Sequence, residues 1–145
     1  MRILYYIVLL PLSYLPLSVL YRISDFLQLI LTRIIPYRST VVRDNMRKTF
    51  PEWEEEEVDR QMNRFYSHFC DLIIEGLKTF TISESSLKKR MDINQPNWLQ
   101  EMAEQGRSVI LTAGHYGNWE WYGLSSDLFL DHQPVGVYLP MSNKY

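Results

Sequence analysis

The chain has 145 residues, enough for one modest domain with a core of its own. Its 46% hydrophobic and 14% aromatic content, with 6 glycines and 7 prolines, excludes a disordered or collagen-like polymer, and a net charge of -2 gives no basis for a nucleic-acid partner. The single cysteine, Cys70, excludes an internal disulfide framework and suits a reducing compartment; with no CxxC pair, HExxH or internal repeat, no metal site is expected.

At the N-terminus, Ile3 to Tyr21 carry no charge. As one helix this run would nearly cross the ~30 Å hydrocarbon core of a bilayer. Pro11, Pro16, Ser13 and Ser18 argue against a single continuous span, and no small-residue cleavage site follows, so a signal peptide is set aside. A helix starting near Pro16 places Ser18, Arg22, Asp25, Gln28 and Thr32 on one polar stripe. Leu17, Leu20, Ile23, Leu27, Ile30 and Ile34 cover the rest, as in a helix at a bilayer interface or one packed on a core with its seam outward. Residues 1–36 therefore read as a membrane-anchoring or interfacial segment, and residues 3–21 fit either a span or an in-plane helix. Basic residues follow the apolar run (Arg22, Arg33, Arg38, Arg43, Arg47 and Lys48 against Asp25 and Asp44), which predicts a cytoplasmic body.

"YRSTVVRDNMRKTFPEW" reads as a polar connector ending at Pro51. The acidic run Glu52, Glu54 to Glu57 and Asp59 is expected to be a solvated helix start, where carboxylates suit the dipole. Val58, Met62, Phe65, Phe69, Leu72, Ile73, Leu77 and Phe80 then keep helical spacing, predicting an amphipathic core helix. His68 on it reads as a surface or packed histidine. Glu75 lies near the buried side and needs a partner, for which a loop is expected.

Asn94 to Gln105 reads as a connector and a short helix stopped by Gly106. The β-branched run "SVILTA" (Ser108 to Ala113) predicts a buried strand, followed by a turn, a helix from about Asn118 to Leu130, and a second strand at Pro134 to Leu139. Strand, helix, strand in this order suggests a βαβ unit and an α/β fold with a parallel sheet behind the N-terminal helices.

The turn itself, "TAGHYGNWEW", is dense in chemistry. In open α/β folds, sites collect beyond the carboxyl ends of the strands, where His115 falls. Gly114 and Gly117 bracket the histidine and free the backbone to bend or approach a ligand. Asn118 is a good N-cap, and Glu120 lies in the first helical turn. An imidazole suits proton abstraction near neutral pH, a nearby carboxylate can orient it, and free amides at the helix start can receive negative charge. The same pair also fits a plain structural role, His115 closing the strand and Glu120 favouring the helix N-terminus. No serine or cysteine nucleophile accompanies the histidine, which points to direct transfer onto a substrate hydroxyl.

These residues resemble a known family. "GHYGNWEW" is similar to the H-x4-[DE] signature, in its H-x-G-N-W-E form, of the late acyltransferases of lipid A biosynthesis (lauroyl/myristoyl type). Tyr37 and Arg38, then "VVRDNMRKTFPE", resemble that family's V-x-x-N-L-x-x-x-F-P segment, with Met46 in place of leucine. The resemblance covers nearly the whole chain. It implies a membrane-bound enzyme on the cytoplasmic face of a Gram-negative inner membrane, moving a fatty acyl group from acyl carrier protein to a hydroxyl of a lipid A precursor or other glycolipid. The carrier-protein thioester is then a co-substrate, and no other cofactor is implied. Carried over, His115 is the general base, Glu120 its charge partner, and Gly117, Asn118 and Trp119 shape the turn. Arg38 opens a basic stretch that can attract the acidic carrier or acceptor phosphates, or simply lie solvated or against the membrane.

Two departures qualify the match. Leu139 in "VYLPMSNKY" replaces the basic residue of a V-Y-[RK]-P-L-x-N segment, and family members run to about twice this length. Residues 37–145 are accordingly expected to be the incomplete N-terminal part of the acyltransferase domain, inactive by itself. Two other readings stand beside this one: transfer to a lysophospholipid or another membrane lipid, and an inactive membrane-anchored fragment.

Overall fold

A computed structural model describes residues 2–137, with the backbone alone at Arg2. Proline dictates the shape of the N-terminus. A first helical arm consists of α1 (Arg2–Leu4), a π-helical turn (Tyr5–Leu9) and α2 (Leu10–Ser13); a second consists of α3 (Leu17–Leu29) and a π-helical turn (Ile30–Ile34). Pro16 has no amide hydrogen and disfavours helical backbone in the residue before it, so the first arm stops there. Its own carbonyl then accepts from the amides of Val19 and Leu20 to start α3. The arms Tyr5–Ser13 and Leu17–Ile34 meet at 117°. Among the described residues no single helix is long and apolar enough to cross a membrane; only this bent pair, taken together, has the length and composition. Pro36 ends the second arm in the same way, with Ile35 driven to φ -127°.

The expected polar connector is a helix, α4 (Ser39–Thr49). Val42 and Met46, one turn apart, pack against Val58, Met62 and Tyr66 of the next helix. Arg43 and Arg47, also one turn apart, reach its acidic start: Arg43 pairs with Glu55 at 3.0 Å and with Asp59, and Arg47 with Glu55 at 2.6 Å. The acidic run is thus more than a solvated helix start, since Glu55 and Asp59 clasp α4. Between the helices, Pro51 follows Phe50 in a tight turn closed by Trp53 N donating to Phe50 O at 3.1 Å, and the two rings stack 4.0 Å apart.

α5 (Glu55–Lys78) buries Val58, Met62, Tyr66, Cys70 and Ile74. Burying Val58, Met62 and Ile74 contributes roughly 1.5–3 kcal/mol each. Val58 and Met62 are buried as their spacing predicts, but Phe65, Ile73 and Phe80 are 39%, 44% and 49% exposed. A row at four-residue steps winds slowly around a 3.6-residue helix, and α3 and α4 cover that row alone. The phenylalanines stack on its flank: Phe65 lies 5.9 Å from Phe69, and Phe69 lies 6.0 Å from Tyr37. Burial, and secondarily the neighbouring Asp71, push the Cys70 thiol above its ordinary range, so it stays protonated and unreactive.

α3 lays Leu17, Leu20 and Ser24 against α5. The expected stripe is polar and exposed at Ser18, Arg22 and Asp25, yet the inner face is polar too. Ser24 Oγ donates to Asp71 Oδ1 and the Tyr21 hydroxyl to Glu75 Oε1, both at 2.6 Å. Glu75 therefore finds its partner on a helix rather than on a loop. At the bend, Lys78 Nζ donates to the carbonyls of Ser13 (2.8 Å) and Leu15 (3.0 Å), and Thr81 Oγ1 donates to Ser13 as well. His68 is exposed.

The chain divides into two compact units, Met1–Ile82 and Ser83–Tyr145, so residues 1–36 share a unit with α4 and α5. In the second unit, α6 (Glu84–Lys88) is capped by Ser83, whose side chain accepts from Ser86 N. α7 (Asn97–Glu104) ends as foreseen at Gly106, with φ +66°. Gly106 N donates to Ala103 O and Arg107 N to Met102 O, both at 2.9 Å, the paired bonds of a Schellman stop. α8 (Trp119–Phe129) packs against α6, with Leu87, Leu99 and Trp121 buried.

No strand is present among the described residues, which fold as helices and loops. Ser108–Ala113 and the described part of the second expected strand, Pro134 to Val137, run without ladder partners; Tyr138 and Leu139 lie outside the described residues. A strand is held by bonds to a neighbour, and without one these apolar residues face solvent: Ile110 is 91% and Val137 100% exposed.

Candidate active site

The turn before α8 is built from its two ends. At the near end, Tyr116 N donates to Gly114 O at 3.0 Å, a three-residue γ-turn centred on His115. Gly117 then takes φ +59°, a left-handed conformation costly for any residue with a Cβ. At the far end, Asn118 caps α8: its side-chain oxygen accepts from Trp121 N at 2.9 Å and its carbonyl from Tyr122 N at 3.1 Å. Trp121 is 4% exposed and anchors this end in the unit's core. The buried hydroxyls of Ser125 and Ser126 are satisfied within the helix, on Tyr122 O (3.1 Å) and Gly123 O (2.7 Å).

This scaffold presents His115, Trp119 and Glu120 at the surface. The His115 and Trp119 rings lie 4.4 Å apart, centre to centre, and tilted by 59°. Glu120 occupies the first turn of α8. Among the described residues no hydrogen bond or ion pair joins His115 to Glu120, so the structure brings the imidazole to Trp119 rather than to the carboxylate. The amides of Trp119 and Glu120 precede the first intrahelical bond and add positive potential beside the ring. An exposed imidazole beside unused amides can move a proton and face a developing anion. No group of three or more His, Cys, Asp or Glu among the described residues has the arrangement to hold a metal.

Arg38 belongs to the other unit. It is the only non-glycine with positive φ among the described residues, at 51°. Its guanidinium lies 5.8 Å from the centre of the Tyr37 ring, and Tyr66 donates its hydroxyl to the Tyr37 carbonyl at 2.6 Å. Arg43 and Arg47 are engaged by Glu55 and Asp59, so the basic stretch offers an outside anion chiefly Arg38 and Lys48.

Two longer-range contacts of this unit have no signature in the sequence. Gln95 clasps Asp131, donating to its carboxylate at 2.8 Å and accepting from its amide at 3.0 Å. His132 Nε2 lies 3.0 Å from Arg107 O; a carbonyl only accepts, so this nitrogen carries the hydrogen and the buried Nδ1 has no partner. Together they tie the chain after α8 to the segments flanking α7, through contacts too long in sequence for a local pattern to show.

No curated protein and no solved structure matches the chain. A family model described as bacterial lipid A biosynthesis acyltransferase matches residues 1–145. The match spans both motifs already described, the segment around Val42 to Pro51 and the capped turn from His115 to Glu120. The chain thus belongs to the bacterial lipid A biosynthesis acyltransferase family and is an acyltransferase.

Proposed function

We propose that this protein transfers a fatty acyl group from acyl carrier protein to a hydroxyl of a lipid A precursor, with His115 as general base, at the cytoplasmic face of the inner membrane. The observation that carries the reading is the exposed His115 at a γ-turn ahead of a capped helix, within a chain of this family. His115 takes the proton of the acceptor hydroxyl as its oxygen attacks the thioester carbonyl. The tetrahedral oxyanion collapses to the ester, and the leaving thiolate takes the proton back from the imidazolium. Glu120 pairs with the charged imidazole once substrate is bound, since catalytic hydrogen bonds commonly tighten only in the complex. Gly117, Asn118 and Trp119 hold the turn, and Arg38 with Lys48 receives an acidic carrier or acceptor phosphate. The reading also takes Ser108–Ala113 as a sheet strand of the acyltransferase domain. It requires no cofactor beyond the thioester co-substrate.

The apolar, bent N-terminus supports membrane attachment, with the basic residues after it supporting a cytoplasmic body. The test is a chromosomal His115→Ala variant. Acyl transfer by membranes from these cells is expected to fall roughly 10²–10⁴-fold with the protein still membrane-bound. A near wild-type rate overturns the base assignment. Mass spectrometry of lipids from a deletion strain tests the acceptor: unchanged lipid A acylation overturns it and favours a lysophospholipid or other membrane lipid.

A further inference from the structure

We infer that the N-terminal hairpin is monotopic: both arms lie in the interface of one leaflet, and the chain enters and leaves the membrane on the same side. The inference rests on the membrane attachment proposed above and adds its topology.

Length is the first argument. At 1.5 Å per residue, Tyr5–Ser13 reaches about 14 Å and Leu17–Ile34 about 27 Å, and the 117° bend prevents their adding into one rod across a ~30 Å core. Charge is the second. Arg22 and Asp25 are exposed part-way along the longer arm, so a spanning pose would hold both charges inside hydrocarbon, where each is costly. In-plane, the outer side of the same arm suits its surroundings. Val19, Phe26 and Leu29 are 40%, 63% and 51% exposed and face acyl chains. Arg22 and Arg33 flank them and reach anionic phosphates from their aliphatic stems.

Attachment to α5 is the third argument, because it fixes both arms to one polar helix. Tyr5 of the first arm packs edge-on against Phe80, with ring centres 5.3 Å apart. Lys78 and Thr81 hold the bend, and Tyr21 and Ser24 bond Glu75 and Asp71. A first arm that crossed the bilayer would have to leave Phe80. Held there, its outer residues Ile3, Tyr6 and Ile7, at 75%, 63% and 68% exposure, enter the same leaflet from the side that carries α5.

The experiment uses the whole chain in sealed inverted inner-membrane vesicles, with single cysteines placed on a short Gly-Ser extension ahead of Met1 and at Lys48→Cys, and a membrane-impermeant maleimide. Wild-type protein gives the background, since Cys70 is fully buried. Both sites are expected to label without detergent, to within about twofold of each other. Labelling of the N-terminal extension only after detergent, with Lys48→Cys labelled throughout, shows a spanning arm and overturns the topology while leaving attachment intact. A companion flotation assay with phosphatidylcholine/phosphatidylglycerol vesicles separates the two ideas: protein that stays at the bottom of the gradient overturns membrane attachment itself.

Discussion

The His115 imidazole leans on the Trp119 indole, ring centres 4.4 Å apart and planes at 59°. One residue sits in the γ-turn and the other opens α8, so the capped helix start sets where the indole stands and the indole limits how the imidazole turns. With His115 as the proposed general base, Trp119→Ala is expected to lower kcat about 10–100-fold with a smaller change in KM, because a misaimed base loses rate rather than binding. Trp119→Phe should recover most of the rate, since a ring still fills the contact. Equal rates for all three proteins would remove the indole from the mechanism.

Glu120 separates catalysis from structure. It is exposed at the helix start, where replacing it by alanine should change folding stability by less than about 0.5–1 kcal/mol. If it steadies the charged His115 in the substrate complex, Glu120→Ala lowers kcat well beyond that, and Glu120→Asp retains part of the rate. Paired kinetic and urea-denaturation measurements decide. Unchanged kcat with slightly lower stability would leave Glu120 only its dipole role.

The turn's rigidity can be read as stability. A Cβ on Gly117 meets nothing within 4 Å, so Gly117→Ala costs only backbone conformation, on the order of 1–2 kcal/mol. Asn118→Ala deletes the cap on Trp121 N, at about 0.5–2 kcal/mol, while Asn118→Asp keeps an acceptor and should be close to neutral. Urea denaturation should show a loss for Gly117→Ala and for Asn118→Ala and little for Asn118→Asp, and a neutral Asn118→Ala would mean the cap does not hold the helix start.

These local devices were the legible part of the molecule. Gly117, Asn118 and the α8 start follow from residue types at fixed offsets, as does the Gly106 stop, because each is decided within one turn of backbone. The polar inner face of α3 was not legible, because Tyr21 and Ser24 become interior groups only when Glu75 and Asp71 arrive from a distant helix. α4 reads as a connector by its polarity although it carries a helical signal: Val42 with Met46 and Arg43 with Arg47 repeat at one helical turn. The run "SVILTA" shows the converse limit. Its β-branched composition states a preference, but a strand also needs a neighbour, and none is described beside it.

The α4–α5 clasp predicts a pH dependence. The hydrogen bond from Arg47, more than its charge, holds the Glu55 carboxyl below its ordinary range and raises the Arg47 guanidinium. A carboxylate with a lowered folded-state pKa stabilises the fold fully above its unfolded value, and loses that contribution as pH falls through the folded one. Glu55→Gln should therefore lower Tm by no more than a few degrees at neutral pH, since the pair is exposed. The difference should close in acid below the carboxylate range. A gap of constant size at all pH values would assign it to packing instead.

The bend between the arms predicts the largest effect. Pro16 disfavours helical backbone in the residue before it, so the helix stops and the carbonyls of Ser13 and Leu15 gain no partner from its continuation. Lys78 Nζ donates to both, placing a cation at the C-terminal end of the first arm where the helix dipole is negative. Lys78→Met keeps most of the aliphatic stem and removes only the donor, so its cost isolates these bonds. Charge-assisted bonds of this kind contribute roughly 1.5–3 kcal/mol, and the loss is expected within that range by urea denaturation. The break should be local, with protease cutting faster between Ser13 and Leu17 while α8 keeps its protection. Thr81→Val, which removes the other donor to Ser13, should give a smaller effect in the same direction. Unchanged cleavage in both variants would show that the bend is held by Tyr5 on Phe80 and by the Tyr21 and Ser24 bonds alone.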